Sequence, residues 1–498
     1  MENQNNTISR TSGITFKDKI GYALGDVGSL LVFGLVNTFL QVFYTDALGI
    51  TPLVVMIIMI AARVWDAVND PLWGRVVDKA SCKKPGTRYK RWLLYLAAPL
   101  AVSAVLMFIN VRGLRFGYIA TIVYATVSYI IFGMLYTGTN IPYGSMAQVI
   151  TTDDKERNAL SVFRSVGSTL GGFGPMILSF LCYTKDADGN SLLNPNILII
   201  GVIVLSVLCV GALVACHYIS KERVVIERGN PVSEEEKKAK KGETVRVLKN
   251  LLKTRSFVVI SIVGMLFLAA QMFQTTYNTY VFKTFFKNGG LAAVTQVCQY
   301  LPVAVVMFLS GKLVKKFGRK EICAVGLLFV AVSFGVLACL PAASIDRTLL
   351  MYLFFAFSLL GGLGNSFIFL MIWALANDAI DDYYVKSKSH DEATAFSIFT
   401  FMRKLGQTIA AVIVNVSLMS LGYGKDFDAA SGKAYVWLPA ESASTSMYYQ
   451  SIIIPAALSL IMFVLLMFAY PLNKKSVEEL QVSKNELLAS ELNNQKAE

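Results

Sequence analysis

Residues 52–78 read PLVVMIIMIAARVWDAVNDPLWGRVVD, an apolar run that carries charged side chains in its second half. A transmembrane helix needs about 20 predominantly apolar residues, and runs of this length recur from Tyr22 to Tyr470. The 498 residues are 55% hydrophobic and 16% charged, whereas a soluble protein has about 25% charged residues. The sequence therefore predicts an integral membrane protein.

The apolar runs predict an all-α membrane fold of twelve transmembrane helices. They lie near residues 22–45, 52–78, 93–111, 117–148, 160–183, 196–218, 256–282, 291–314, 321–341, 348–380, 393–422 and 448–471. The longest break mixes acidic and basic side chains, as a solvated linker does. We therefore expect two pseudo-symmetric six-helix halves (1–219 and 256–472), joined by a cytoplasmic linker (220–255) and followed by a cytoplasmic tail (473–498).

Basic residues concentrate in alternate loops. The stretch from Lys79 to Arg91 holds six, and the stretch from Lys312 to Lys320 holds five, whereas the first connection holds none. By the positive-inside rule, both termini are cytoplasmic. We expect a multi-pass monomer in the lipid of the inner (plasma) membrane. The net charge of +13 reflects these loops, so we expect no nucleic-acid partner.

A repeated loop motif supports the division into halves. Gly74-Arg-Val-Val-Asp-Lys follows the second span, and Gly311-Lys-Leu-Val-Lys-Lys-Phe-Gly-Arg-Lys follows the eighth. Each motif places a glycine at a helix end, where backbones can approach closely, before a basic turn. The motif resembles the loop motif of the major facilitator superfamily. That resemblance implies two halves with a substrate site near the midplane.

Arg63, Asp66 and Asp70 share one face of the second span, because they lie at relative positions 0, 3 and 7. Each charge costs about 2.5 to 3.5 kcal/mol at the centre of an inserted helix, so the stripe indicates a polar cavity or mutual pairing. Two carboxylates with nearby amide and hydroxyl oxygens, such as Asn69, suit a hard monovalent cation; the carboxylates could instead hold a proton. The alternative is a structural ion pair with Arg63, for which a single aspartate would suffice.

Several segments repeat the pattern of one transporter family. The second span has the arrangement RxxDAxxDP, and the matching segments are Gly25-Asp26, Tyr44-Thr-Asp46, residues 136–145, Arg157, Arg164, residues 378–383 and residues 395–406. Together they resemble the glycoside-pentoside-hexuronide cation symporters over nearly the whole chain. The resemblance implies symport of a glycoside, pentoside or glucuronide with sodium or a proton.

The resemblance also implies roles for particular residues. The cation site would comprise Asp66, Asn69, Asp70 and Thr137, with Asp66 and Asp70 as the ligands of sodium if sodium is the coupling ion. Asp26 and Arg164 fall where the family contacts sugar hydroxyls. Lys404 matches an intramembrane lysine near the cation-site carboxylates, and we assign it with Arg63 to coupling; Lys404 is also a candidate for substrate binding.

Two positions depart from the family's melibiose-transporting members. Asn140 stands in place of an acidic residue, and Gly144 in place of a tryptophan. We therefore expect a substrate other than melibiose, and Asn140 is a candidate to bind it. An anionic substrate could pair with Arg164 or Arg403. Trp373 could stack on a sugar ring, although aromatic residues in membrane spans more often face lipid or pack internally.

Asp378 and Asp381 lie at a cytoplasmic helix end near two lysines, Lys386 and Lys388. A salt-bridge gate is one interpretation of this cluster, and a solvated acidic face is the other. The sequence has no phosphate-binding glycine loop, no nucleophile-histidine pair and no CxxC spacing, so we expect neither an enzyme nor a cofactor beyond the coupling ion. A lysolipid carrier and a transport-inactive sensor or scaffold remain as alternatives.

Overall fold

The computed structural model describes residues 13–79, 87–114, 116–151, 154–187, 189–223, 249–388, 392–424, 437 and 439–497. Most of the predicted linker (224–248), the basic residues Lys83 and Lys84, and the side chain of Arg157 lie outside this part of the chain. Within it, twelve helices are long and apolar enough to cross a membrane. The predicted all-α membrane fold is therefore confirmed.

The first compact unit comprises residues 1–229 with two short segments, 288–290 and 422–438. Its helices are α1 (Phe16–Leu35), α2 (Pro52–Lys79), α3 (Lys90–Met107), α4 (Tyr118–Ile150), α5 (Asp154–Cys182) and α6 (Pro195–Ile219). Two π-helical turns, Val36–Leu40 and Phe43–Ala47, follow α1. Tyr423, near the start of the second of these segments, donates a hydrogen bond from its hydroxyl to Asp46 Oδ1 at 2.5 Å.

Polar caps fix where helices of this unit begin. Thr15 and Asp18 form a capping box at α1: the Asp18 backbone N–H donates to the Thr15 hydroxyl at 3.3 Å, and the Thr15 N–H donates to Asp18 Oδ2 at 2.9 Å. Asn194 caps α6 by accepting from two backbone N–H groups, and Pro195 occupies its first position. These caps satisfy backbone donors that the first helical turn leaves unpaired.

A short β-hairpin between α5 and α6 was not predicted. Strands β1 (Tyr183–Lys185) and β2 (Ser191–Leu193) pair antiparallel, with Thr184 opposite Leu192. The turn contains Gly189 at φ +77°, a conformation that favours glycine. Strands of three residues leave too little alternation for a sequence pattern to reveal.

Helices α1 and α5 approach each other closely at glycines. A Cβ built on Gly167 would lie 2.3 Å from the carbonyl oxygen of Ala23, and one on Gly171 would lie 2.7 Å from that of Val27. Only glycine permits this approach without moving a backbone. The contact brings the middle of α1, which contains Asp26, against α5.

The second compact unit comprises residues 230–287, 291–421 and 439–498. Its helices are α7 (Arg255–Thr284), α8 (Ala292–Phe317), α9 (Arg319–Ala338), α10 (Arg347–Ser387), α11 (Glu392–Ser420), α12 (Glu441–Val464) and α13 (Lys474–Ala497), with a π-helical turn, Leu465–Ala469, after α12. Helix α13 is the predicted tail, and Leu480 on it is buried in the core of this unit.

Candidate functional site

The two aspartates of the second span face two residues of helix α4 that have the same spacing along their helix. Asp66 and Asp70 lie one helical turn apart on α2, and Gly133 and Thr137 lie one turn apart on α4. The Thr137 hydroxyl donates to Asp70 Oδ1 at 3.1 Å. A Cβ on Gly133 would lie 3.3 Å from Asp66 Oδ1. The absence of a side chain at residue 133 therefore leaves room for the Asp66 carboxylate.

Arg63 engages only the nearer of these two aspartates in a salt bridge among the described residues. Its Nη1 lies 3.1 Å from Asp66 Oδ2, and its Nη2 donates to the Tyr129 hydroxyl at 3.4 Å. The structural ion pair that the sequence left as an alternative is thus present for Asp66. Asp70, one turn further along α2, accepts a hydrogen bond from Thr137.

Asn69 adds a buried amide next to the carboxylates. It is 2% exposed, and its Nδ2 has no hydrogen-bond partner in the described part of the chain. An unsatisfied buried polar group costs about 1 to 3 kcal/mol, so an amide at this position favours a polar ligand or water nearby. Oxygens of two carboxylates, an amide and a hydroxyl are suited to a hard cation.

Asp26 and Arg164 form an ion pair between α1 and α5. Arg164 Nε lies 3.5 Å from Asp26 Oδ1, and the Ser168 hydroxyl donates to Asp26 Oδ2. Asp26 is 3% exposed, whereas the side chain of Arg164 is 40% exposed. The structure therefore brings together two residues that the sequence assigned to the sugar, and Arg164 retains accessible donors.

Aromatic rings support this pair, although no sequence pattern pointed to them. The guanidinium of Arg164 lies over the ring of Tyr143 at 5.1 Å, and this ring stacks on Tyr22 at 4.8 Å. The Tyr143 hydroxyl donates to the carbonyl oxygen of Tyr22 at 2.8 Å. A Cβ on Gly25 would lie 2.3 Å from Tyr143 Cε2. Gly25 and Tyr143 both stand in matched family segments, but no spacing rule indicated their contact.

Asn140 and Gly144, where the sequence departs from the melibiose-transporting members, lie one turn apart on α4. Asn140 is half-buried. A Cβ on Gly144 would meet no atom within 4 Å in the described part of the protein. The structure thus has open space at the position where the family's melibiose-transporting members carry a tryptophan.

In the second unit, Trp373 on α10 supports Arg403 on α11. The Arg403 guanidinium lies 4.4 Å from the centre of the Trp373 ring. Phe396 stacks on the same indole at 5.4 Å, and Phe399 contacts it edge-on at 5.5 Å. Lys404, the next residue after Arg403, is exposed on this unit. Trp373, a predicted stacking partner of a sugar ring, thus has the guanidinium of Arg403 over its own ring.

The acidic cluster at the end of α10 has interhelical partners that the sequence did not indicate. Asp378 Oδ1 lies 2.5 Å from Arg319 Nη1 on α9, and Asp381 Oδ1 lies 2.6 Å from Lys484 Nζ on α13. Lys386, one of the two lysines expected near the cluster, pairs with Asp382 at 2.8 Å. The carboxylates therefore connect α10 to its neighbours, and they are not merely a solvated face.

A comparison of the whole sequence with known protein families identifies the family of this chain. The sequence profile of the MFS/sugar transport protein family matches residues 21–474. The chain belongs to this family. The match agrees with the predicted glycoside-pentoside-hexuronide type of symporter.

The family relatives match most of the chain at low sequence identity. The "Uncharacterized symporter YjmB" of Bacillus subtilis (strain 168) is 25% identical over 84% of this chain and 86% of its own length. The isoprimeverose transporter of Lactiplantibacillus pentosus is 25% identical over 86% of each chain. These relatives are transporters, and the family member described here is a transporter and not an enzyme.

A solved structure shows the same fold. The inward-open xylose transporter XylE from E. coli superimposes with a TM-score of 0.58, covering 93% of this chain and 98% of its own at 14% identity. This likeness shows the fold alone, and it is the predicted major facilitator fold.

Proposed function

We propose that this chain is a symporter that moves a sugar or glycoside together with a monovalent cation, sodium or a proton, by alternating access. Its relatives include a symporter and an isoprimeverose transporter, which supports a sugar-like substrate. We further propose a monomer in the plasma membrane with both termini cytoplasmic, with residues 1–219 and 256–472 as the two halves, 220–255 as the linker and 473–498 as the tail.

One observation carries the proposed cation coupling. Two carboxylates of a single membrane span face the same neighbouring helix, and only Asp66 is in an ion pair with Arg63 among the described residues. A structural role would require one aspartate. We assign the cation to Asp66, Asn69, Asp70 and Thr137. These side chains supply carboxylate, amide and hydroxyl oxygens where α2 packs against α4.

The substrate assignment rests on hydrogen-bonding chemistry. Sugar hydroxyls need paired acceptors and donors, and Asp26 with Arg164 provides both in the first unit. Asn140 and the open space at Gly144 lie on the same unit. Trp373 and Lys404 are the residues of the second unit that we assign to the substrate.

Coupling follows from charge. A monovalent cation bound at Asp66 and Asp70 neutralises one of the two negative charges while Arg63 offsets the other, so these side chains are already ordered when the sugar binds. We assign Arg63 and Lys404 to this linkage. The pairs of Asp378 with Arg319 and of Asp381 with Lys484 would then act as gating contacts that break and re-form during the cycle.

The test is accumulation of a radiolabelled glycoside by proteoliposomes under an imposed sodium or proton gradient. Asp66→Asn and Asp70→Asn should each abolish uphill accumulation while leaving downhill exchange measurable, because the amide keeps the shape of the side chain and loses its charge. Glu441→Gln is the matched control: it also neutralises a carboxylate, but at a surface pair with Arg347 in which Glu441 is 81% exposed.

Uphill accumulation by both aspartate variants at the rate of the Glu441→Gln control would exclude these residues from coupling. The gradient that drives the unmodified protein, tested separately for sodium and for protons, identifies the coupling ion.

A further inference from the structure

Arg403 is a cation in a membrane span that has no anionic partner within the part of the chain that the structure describes. Among the described residues it has no salt bridge, and its Nε is buried without a hydrogen-bond partner. Arginine stays protonated in proteins and has five N–H donors in a fixed fork. A buried donor without an acceptor is costly, so an acceptor that reaches this position would bind favourably.

The guanidinium is nevertheless held in a defined position. The Trp373 indole lies 4.4 Å from it, and Phe396 and Phe399 fix that indole. On α7, a Cβ at Gly264 would lie 3.2 Å from Arg403 Cγ, so the glycine admits the stem of the arginine. A contact with the ring face leaves the edge of the fork, where the N–H groups point, available to a ligand.

The aromatic side chains next to Arg403 are partly exposed. Trp373 is 38% exposed and Phe396 is 43% exposed, and the neighbouring Lys404 is exposed as well. Charged side chains within membrane spans face protein or water in preference to lipid. A polar solute that reaches this face of the second unit therefore meets a guanidinium that is held in a defined orientation.

We propose that Arg403 selects sugars that carry an oxyanion, either a carboxylate or a sulfonate, by a two-pronged hydrogen bond from its fork. This inference rests on the proposed function and narrows its substrate class to acidic sugars. A neutral sugar would leave the positive charge uncompensated. A carboxylate or sulfonate supplies two oxygens at the spacing of the fork and neutralises the charge at the same time.

The experiment measures binding of matched p-nitrophenyl glycosides to the purified full-length protein. The probes are the β-glucuronide, the β-glucoside with a C6 sulfonate, and the unmodified β-glucoside. We expect one or both acidic probes to bind at least tenfold more tightly than the neutral one. Arg403→Gln should remove this preference by weakening the binding of the acidic probes at least tenfold more than the binding of the neutral glucoside; Arg403→Lys should restore part of the preference.

Arg347→Gln is the control, since it removes one positive charge from the same unit at an exposed pair with Glu441; it should keep the preference. Equal binding of all three probes, or an equal loss for acidic and neutral probes in Arg403→Gln, overturns the proposal. Cation-driven uptake of the neutral glucoside without binding of either acidic probe overturns it while the proposed symport stands. Failure of all three probes to bind or to be transported counts against both the role of Arg403 and the proposed sugar symport.

Discussion

Two arginines in corresponding roles, Arg164 in the first unit and Arg403 in the second, are held in opposite ways. Each lies over an aromatic ring, Tyr143 or Trp373. Arg164 also pairs with a buried carboxylate of its own chain, Asp26, whereas Arg403 pairs with none among the described residues. The first site is electrically balanced before a substrate arrives, and the second is not.

Magnitudes explain why this difference matters. Placing an arginine at the centre of a membrane helix costs about 2.5 to 3.5 kcal/mol on insertion scales. A cation–π contact contributes about 0.5 to 2 kcal/mol, which does not offset that cost, and Arg403 has no carboxylate among the described residues to compensate the remaining charge. A position that retains an uncompensated charge is more useful for binding than for stability.

The largest expected effect is on stability, and it should divide the two arginines. Asp26→Ala leaves Arg164 without its carboxylate. We expect a loss of about 2 kcal/mol, below the 3 to 5 kcal/mol of a fully buried pair because Arg164 is 40% exposed. Arg403→Gln breaks no ion pair and should change the melting temperature in detergent little.

The double variant Asp26→Ala/Arg164→Gln should recover part of the lost stability, because it removes the unpaired cation as well. Equal destabilisation by Asp26→Ala and Arg403→Gln would show that both arginines are structural.

A carboxylate supplied next to Arg403 should make the second site resemble the first. Thr400 lies one turn before Arg403 on α11, and its hydroxyl donates to the carbonyl oxygen of Phe396 at 2.9 Å. Thr400→Asp places an acid at the spacing that forms helical ion pairs. Affinity for an acidic glycoside should fall roughly tenfold, which is about 1.4 kcal/mol. Thr400→Asn, which has the same shape without the charge, should lose clearly less in the same binding assay.

A smaller effect is expected from the ring beneath the arginine. Tryptophan gives the strongest cation–π contact, so Trp373→Phe should weaken binding of an acidic glycoside about two- to fivefold. The same substitution at Trp437, whose ring contacts Tyr423 in the first unit, should leave binding unchanged. No difference between the two variants would mean that the indole does not orient Arg403.

The smallest effect concerns two glycines. A Cβ on Gly264 would lie 3.0 Å from Phe399 Cε2 and 3.2 Å from Arg403 Cγ, so Gly264→Ala should displace these side chains by a few tenths of an ångström. We expect acidic-glycoside affinity to change about twofold. Gly335→Ala on α9 enters open space and should have no effect on binding, since it gains only helix propensity. A larger change at Gly335 than at Gly264 would contradict this account of the second site.

Properties that lie within one helix could be predicted from the sequence. The spans follow from apolar runs, and the spacing of Arg63, Asp66 and Asp70 places them on one face because the helical period is fixed. The structure agrees, since Arg63 bonds Asp66 along the same helix. Helix ends were less certain: α10 extends from Arg347 to Ser387, beyond the apolar run at 348–380, because its last turns are polar.

Contacts between helices could not be predicted, because they depend on the rotation of one helix against another. The sequence identified Asp26 and Arg164 but not their pairing, and it identified Trp373 and Arg403 separately. The partner of Asp378 was expected among nearby lysines, yet it is Arg319 on α9. Only the matched residues of a family, not periodicity, pointed to the segment that contains Tyr143.

Two contacts join the last helix, α13, to α10. Lys484 Nζ lies 2.6 Å from Asp381 Oδ1, and Gln481 Nε2 donates to Asp381 Oδ2 at 3.1 Å. Any shift of the end of α10 during turnover would be passed along this linkage to α13. A fluorescent dye attached at the exposed residue 486 would therefore act as an optical readout of turnover.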